Sequence, residues 1–260
     1  MTDDFTVRWH AWHDRREQRL RAPYGWLSLT GLHWLGPDPL TVDGLPGVWR
    51  TDAGAVVVEA AADAALAYGG TLLDGSLRIA TTDGEAEHPV MLGERRIEVI
   101  ERGGWLGLRV RDPHSATRAS FTGIPAYAPS GDWVLEGRFS AYAQPKPVLV
   151  PSVVDGLSQP DNETGVIHFE YAGNAYSLVA LDGGDGALDV LFRDATSGDT
   201  TYGAGRTLTV AAPDAGGRVT LDFNRAYNLP CAFTEYATCP VAPPENRLPF
   251  PVTAGEQSTH

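Results

Sequence analysis

Apolar and polar positions alternate along most of this chain, and the period departs from two mainly near its ends. Phe5, Trp9, Trp12, Arg16 and Leu20 follow one another at helical spacing with charged residues between them, which predicts one amphipathic helix. Thr2, Asp3 and Asp4 supply N-cap candidates and favourable negative charge for its start. Pro23 disfavours helix at Ala22, so the helix is expected to stop near Arg21. The apolar segment from Trp26 to Leu35 is short and bounded by glycine and proline, and fits either a strand or a buried helical turn. From about residue 40 to 142 the period is near two. Val56–Val58, Ser76–Ile79, Arg96–Ile100, Leu106–Val110 and Trp133–Tyr142 read as strands. Arg102-Gly103-Gly104 is a hairpin signal, and Asp74-Gly75 and Asp83-Gly84 mark further turns.

Gln144-Pro145-Lys146-Pro147 breaks the alternation. Proline cannot donate to a sheet ladder, so a linker or crossover is expected at 143–150. Strand patterns resume near 148–154, 165–171, 175–181, 187–193, 206–211 and 218–223, with turns at Gly173-Asn174 and Gly183-Gly184. The expected organisation is an N-terminal helix plus β unit over 1–142 and a C-terminal β unit over 148–260. Six prolines then fall between residues 230 and 251, which excludes helix and central strand there. Phe223, Tyr227, Phe233, Tyr236 and Phe250 lie in or beside the same stretch, and disordered tails are poor in aromatics. The reading is an extended arm, 224–260, strapped across the β unit and anchored by its rings. The fold class is mainly β: two antiparallel sandwich- or barrel-like units, one N-terminal helix and a proline-rich arm.

Composition sharpens this. Of 260 residues, 29 are glycine and 19 proline, as a turn-rich β protein requires. The net charge of −13 repels phosphate backbones and anionic membrane surfaces, so neither nucleic acid nor membrane is an expected partner. No run approaches 18 apolar residues, and the segment MTDDFTVRWHAW has no apolar core of a secretory signal. The expected location is cytoplasmic, with Cys231 and Cys239 as free thiols by default. Lys146 is the only lysine, so any lysine chemistry would fall to it. The histidines are scattered and the cysteines eight apart, which matches no metal-ligand spacing. No cofactor is implied.

One constellation remains. Arg193, Asp194, Thr196, Ser197, Tyr202 and Arg206 fall within one loop and its flanks; Asn224, Arg225, Tyr227 and Asn228 open the arm, followed by Cys231. Arginine forks bind carboxylate or phosphate, and Asn and Tyr give directional bonds. One reading is a site for a small polar or anionic ligand between the 192–206 loop and the arm, with catalysis not established. The other is a buried Arg–Asp and Asn network that holds the arm down. Cys231 and Cys239 fit inert buried thiols, a disulfide, or a nucleophile with a resolving partner. A different function class stays open as well: a non-catalytic protein-interaction module using β edges or the aromatic arm.

Three stretches resemble the domain of unknown function 1684 family. They are Asp222-Phe223-Asn224-Arg225-Ala226-Tyr227-Asn228-Leu229-Pro230-Cys231-Ala232-Phe233 with Pro243-Pro244-Glu245-Asn246-Arg247-Leu248-Pro249; Phe192-Arg193-Asp194-Ala195-Thr196-Ser197-Gly198 with Gly205-Arg206; and Gly25-Trp26-Leu27 to Trp34-Leu35. The resemblance implies a β-rich first half loosely like a forkhead-associated sandwich, followed by a second β unit. It supplies no reaction. The chain departs from the family pattern at Leu229, at His33 and in the short segment Gly36–Pro39, where a forkhead-like phosphate contact would sit.

Overall fold

The helical spacing at the N-terminus produces α1, Asp4–Leu20, in the computed structural model of the chain, which describes residues 4–84 and 89–259. Thr2 and Asp3, the expected caps, lie outside the described residues. Trp26–Ser28 then forms a single 3-10 turn that leads directly into β1, Leu29–Trp34, so both readings of that apolar segment are realised in succession. The chain divides into two units: residues 18–121 with 234–238, and residues 4–17, 122–233 and 239–259.

The first of these units is a two-sheet sandwich. Its further strands are β2 (Leu40–Val42), β3 (Leu45–Asp52), β4 (Ala55–Ala60), β5 (Leu66–Tyr68), β6 (Thr71–Leu72), β7 (Gly75–Ala80), β8 (Val90–Leu92), β9 (Arg95–Arg102) and β10 (Trp105–Arg111). They form one sheet in the order β1-β10-β9-β8-β5-β6 and another in the order β2-β3-β4-β7. Trp49, Val56 and Val58 from the second sheet share a core with Ile97, Val99 and Leu108 from the first, as period-two patterning on both inner faces demands. The predicted hairpin joins β9 to β10, with Arg102 opposite Trp105 and positive φ at Gly103 (54°) and Gly104 (81°), the pair that a two-residue primed turn needs. The unit ends in α2, Ala116–Ser120, where the Ser115 hydroxyl accepts from the Arg118 N–H at 3.3 Å.

The other unit is built on seven strands: β11 (Val134–Pro151), β12 (Ser158–Tyr171), β13 (Asn174–Asp182), β14 (Leu188–Phe192), β15 (Arg206–Val210), β16 (Arg218–Asp222) and β17 (Tyr227–Asn228). The order is β16-β11-β12-β13-β14-β15-β17, antiparallel throughout. β15 and β16 do not pair, yet they come close. The sheet therefore curls without closing, around Ile167, Leu178, Val190, Phe192, Leu208, Leu221 and Phe223.

The crossover expected at Gln144–Pro147 is not where the chain divides. β11 runs through it as one strand, with a register irregularity between Ala141 and Lys146. Prolines are tolerated because the ladder between β11 and β16 ends at Arg138, so Pro145 and Pro147 have a paired strand, β12, on one side only. The division lies at 121/122, and residues 4–17 of α1 group with the C-terminal sheet.

The arm is irregular, with 3-10 turns at Pro230–Ala232 and Pro244–Asn246. Phe223 is fully buried and Phe250 packs against the same core; Tyr227 and Phe233 are half-buried. A polar residue holds it more firmly. β13 and β14 pair only at Leu181/Asp189 and Asp182/Leu188, and the buried Asn246 amide lies where the ladder stops. Its Oδ1 accepts from the Val179 N–H (2.7 Å), and its Nδ2 donates to the carbonyls of Val179 and Leu191 (2.8 Å each). The side chain stands in for a missing piece of strand. Asn246→Ala is expected to cost about 2–4 kcal/mol, because three backbone groups lose their partner. A urea unfolding midpoint unchanged from wild type would contradict that role.

Candidate functional site

Arg206 opens β15 and pairs with Phe192 on one side and Asn228 on the other. Its side chain is 0% exposed, as is that of Asp194. One guanidinium nitrogen donates to Asp194 Oδ2 at 2.7 Å and to the Val252 carbonyl at 2.9 Å; the other donates to the carbonyls of Ala254 and Glu256. Burial draws its pKa down from the usual arginine value, and Asp194 acts against that. Asp194 also accepts from the Thr196 N–H at 2.6 Å and from the Thr196 hydroxyl, which contacts the Thr201 hydroxyl at 2.8 Å. Gly205 precedes Arg206 at φ +103°, and a Cβ there would lie 2.5 Å from the Phe192 carbonyl oxygen. Only glycine brings the arginine in so close.

The end of the arm meets the N-terminal helix. Arg16 pairs with the fully buried Glu256 and donates to the Asn228 carbonyl at 2.6 Å. Glu256 Oε2 accepts from the Asn228 N–H at 2.7 Å. The Arg16 guanidinium lies 4.5 Å from the centre of the Tyr227 ring. Trp9 donates its indole N–H to the Asn224 carbonyl at 2.7 Å. The Asn224 side chain, wholly buried, binds both N–H and C=O of Ser130 at 2.9 Å and Asp222 Oδ1 at the same distance.

The residues expected to form a ligand site thus separate into several local groups. Arg206 and Asp194 clamp residues 252–256; Asn228 and Tyr227 belong with Arg16 and Glu256; Asn224 holds Ser130. Arg225 is exposed and pairs with Asp222 at 3.2 Å. Arg193 bonds its backbone to the arm, donating its N–H to the Asn246 carbonyl at 3.0 Å and accepting from the Leu248 N–H at 2.8 Å. Tyr202 donates its hydroxyl to the Cys231 carbonyl at 3.0 Å, and burial together with the two neighbouring cysteines pushes its phenol well above the usual range. Between the 192–206 loop and the arm, the terminal nitrogens of Arg206 and the Tyr202 hydroxyl are taken up by Asp194 and by carbonyls of the arm, while the buried Nε atoms of Arg193 and Arg206 have no hydrogen-bond partner.

The space beneath the arm lies elsewhere. A cavity of about 470 Å³ opens between Val148–Pro151 of β11, Val179 and Leu181 of β13, Leu191 of β14 and residues 241–244 of the arm. None of the eleven expected residues lines it. Its one charged lining residue is Glu163, whose carboxylate accepts from Lys146 Nζ at 3.1 Å. That bond, with Glu163's charge, holds the Lys146 ammonium above its usual value; Glu245 and Tyr142 add to it. Two residues before Glu163 on β12, burial pushes the Asp161 carboxyl up, and Asp182 and Asp189 push it the same way. Sequence reasoning missed the cavity because its walls are ordinary aliphatic and proline positions. The signal available was the arm segment Pro243–Asn246, already conspicuous in the family-like stretch, together with the apolar run Val148–Val150.

A family described as "Protein of unknown function (DUF1684)" matches residues 119–257, which spans nearly all of the seven-stranded sheet and the arm. No curated protein matches the chain. Among solved structures, the solution NMR structure of an uncharacterized protein from gene locus rrnAC0354 of Haloarcula marismortui is similar. It is 30% identical, over 55% of this chain and 81% of that one, with a TM-score of 0.46.

Arg206→Ala is expected to cost about 3–5 kcal/mol, since it strands a buried carboxylate. Adding Asp194→Ala should recover part of that loss, which a double-mutant cycle in urea measures. Asp161 gives a pH test. Its folded-state pKa is raised, so the folded chain binds more protons than the unfolded one above the usual carboxylate pKa, and stability falls as pH rises through that range. Asp161→Asn should therefore raise the melting temperature at pH 7 and lose that advantage at about pH 3, where the carboxyl is protonated in both states.

Proposed function

The chain belongs to the DUF1684 family, whose description names no function, and from that premise we propose that it binds a small molecule with an apolar body and a cationic head in the cavity between β11 and the arm. The observation that carries this reading is the lining: aliphatic and proline side chains, with Glu163 the single charge. An apolar chain entering such a cavity leaves water without stranding a polar group. A cationic head suits the mouth, because Glu163 and Glu245 both bear on Lys146, and two carboxylates outweigh one ammonium. Lys146 is 65% exposed on its side chain, so a ligand ammonium can replace it at Glu163 with little loss of packing. The net charge of −13 favours the approach of cations as well.

Binding is supported over turnover. Besides Glu163, the only polar side chain in the lining is Asn246, and its amide is occupied by Val179 and Leu191. No nucleophile or acid–base pair lines the cavity. The protein-interaction alternative draws less support. Beyond Arg138, β11 no longer pairs with β16 and includes Pro145, Pro147 and Pro151, which have no N–H to offer an added strand.

Titration calorimetry with a homologous series of primary n-alkylamines tests the reading. Each added methylene should tighten binding about fourfold, at about 0.8 kcal/mol per buried CH₂, until the cavity is filled. Ala242→Phe, which fills the space from the arm, should weaken the best amine at least tenfold. Glu163→Gln should weaken the amine and leave the matching alkanol unchanged. Equal affinity for alkyl carboxylates of the same length would overturn the cationic head, and unchanged affinity in Ala242→Phe would overturn the site.

A further inference from the structure

We propose that Cys231 and Cys239 form a peroxide-reactive thiol pair that closes to an intramolecular disulfide. The two residues stand eight apart in the arm, in a stretch that the ligand-binding reading does not use. Neither is in a disulfide; Cys231 is half-buried and Cys239 is buried. The arm turns back between them, so that the Cys231 N–H donates to Cys239 Sγ at 3.1 Å. That contact keeps the two Cα atoms within about 7 Å of each other, at the edge of or inside the range a disulfide spans.

Their backbones are anchored independently by two loops of the same unit, one before β15 and one after β11. The Cys231 carbonyl accepts from the Tyr202 hydroxyl at 3.0 Å, and the 3-10 turn at Pro230–Ala232 fixes the chain around it. The Cys239 carbonyl accepts from the Val153 N–H at 2.9 Å, and Pro240 bridges to Ser152. Joining the sulfurs therefore asks for side-chain rotation between two positions already held together. The division of labour follows from exposure. Cys231 is the thiol an oxidant reaches, and Cys239 is the buried partner beside it. Interaction with Cys239, and to a smaller extent with Tyr202 and the local backbone N–H groups, holds the Cys231 thiol below the usual range, against the opposing effect of burial. That raises the thiolate fraction that attacks.

The chemistry balances with hydrogen peroxide as oxidant. The Cys231 thiolate attacks one peroxide oxygen, an S–O bond forms, the O–O bond breaks, and the departing hydroxide takes a proton to leave as water. The Cys239 sulfur then attacks the sulfenic sulfur of Cys231. The S–S bond forms, and hydroxide leaves with the Cys239 proton as a second water. Two thiols are oxidised to one disulfide and one peroxide is reduced to two waters.

The test uses the reduced full-length chain with one equivalent of hydrogen peroxide, followed by thiol titration under denaturing conditions and peptide mass mapping. Both thiols should disappear together, the intact mass should fall by two hydrogens, and a peptide pair joining residues 231 and 239 should appear and be reversed by dithiothreitol. The oxidised chain should melt several degrees higher, as closing a loop in the unfolded state implies. In Cys239→Ser, dimedone should trap a sulfenic acid on Cys231. Three results would overturn the proposal: a disulfide-linked dimer, stepwise oxidation of Cys231 to sulfinic acid with no linked peptide, or no loss of thiols where free glutathione is oxidised. Mapping the wild-type chain decides the matter even if the variant does not fold.

Discussion

A segment carrying six prolines cannot satisfy its own backbone, and the polar side chains that do this for it organise the C-terminal unit. Arg206 is the centre. It lies unexposed beneath the arm, compensated by Asp194, and directs its donors to the carbonyls of Val252, Ala254 and Glu256. Asn246 does the same for β13 and β14, and Glu256 for the amide of Asn228 and the guanidinium of Arg16. A buried charge is costly unless paired and hydrogen-bonded. Each of these side chains therefore has one place where it is affordable, and together they define one register for the arm.

That clamp explains why polar signature residues and the cavity are separate. Where Arg206, Asn224 and Asn228 act, their side chains bind backbone groups of the arm and of the segment before β11. Where the arm runs through Val241–Pro244, consecutive prolines lack N–H donors and the facing strands present Val148, Leu181 and Leu191. Contact there is apolar, side chains of fixed shape bridge an uneven surface, and space remains. The two cysteines fall between these regimes, just before the cavity segment, held by one hydrogen bond from Tyr202 and one from Val153.

Much of this was legible along the chain. The alternation marked β4, β7, β9, β10 and β13 to β16 to within a few residues, but it read β11 as two strands, began β12 late and left β5, β6 and β8 unmarked. Gly103-Gly104 marked a hairpin because two positive-φ positions leave few alternatives, and the prolines marked an arm. The division of the chain was not legible, since Pro145 and Pro147 break a ladder only when both sides of the strand are paired, and β11 has lost β16 by then. The polar residues were found as a set but their use was not. Arginine, asparagine and aspartate are the residue types that hold a ligand, and also those that hold a proline-rich backbone.

By itself the sequence determined what depends on near neighbours: the helix, most of the longer strands, the turns, a mainly β antiparallel fold and a proline run at 230–251 that could be neither helix nor central strand. Tertiary structure alone decided which groups satisfy one another and where space is left over. Arg16 and Glu256 stand 240 residues apart, and Asn246 completes a ladder 67 residues away at Val179. Periodicity is a property of a few consecutive residues, whereas pairing of buried polar groups and the emptiness of a cavity are properties of the folded surface, set only when distant segments meet.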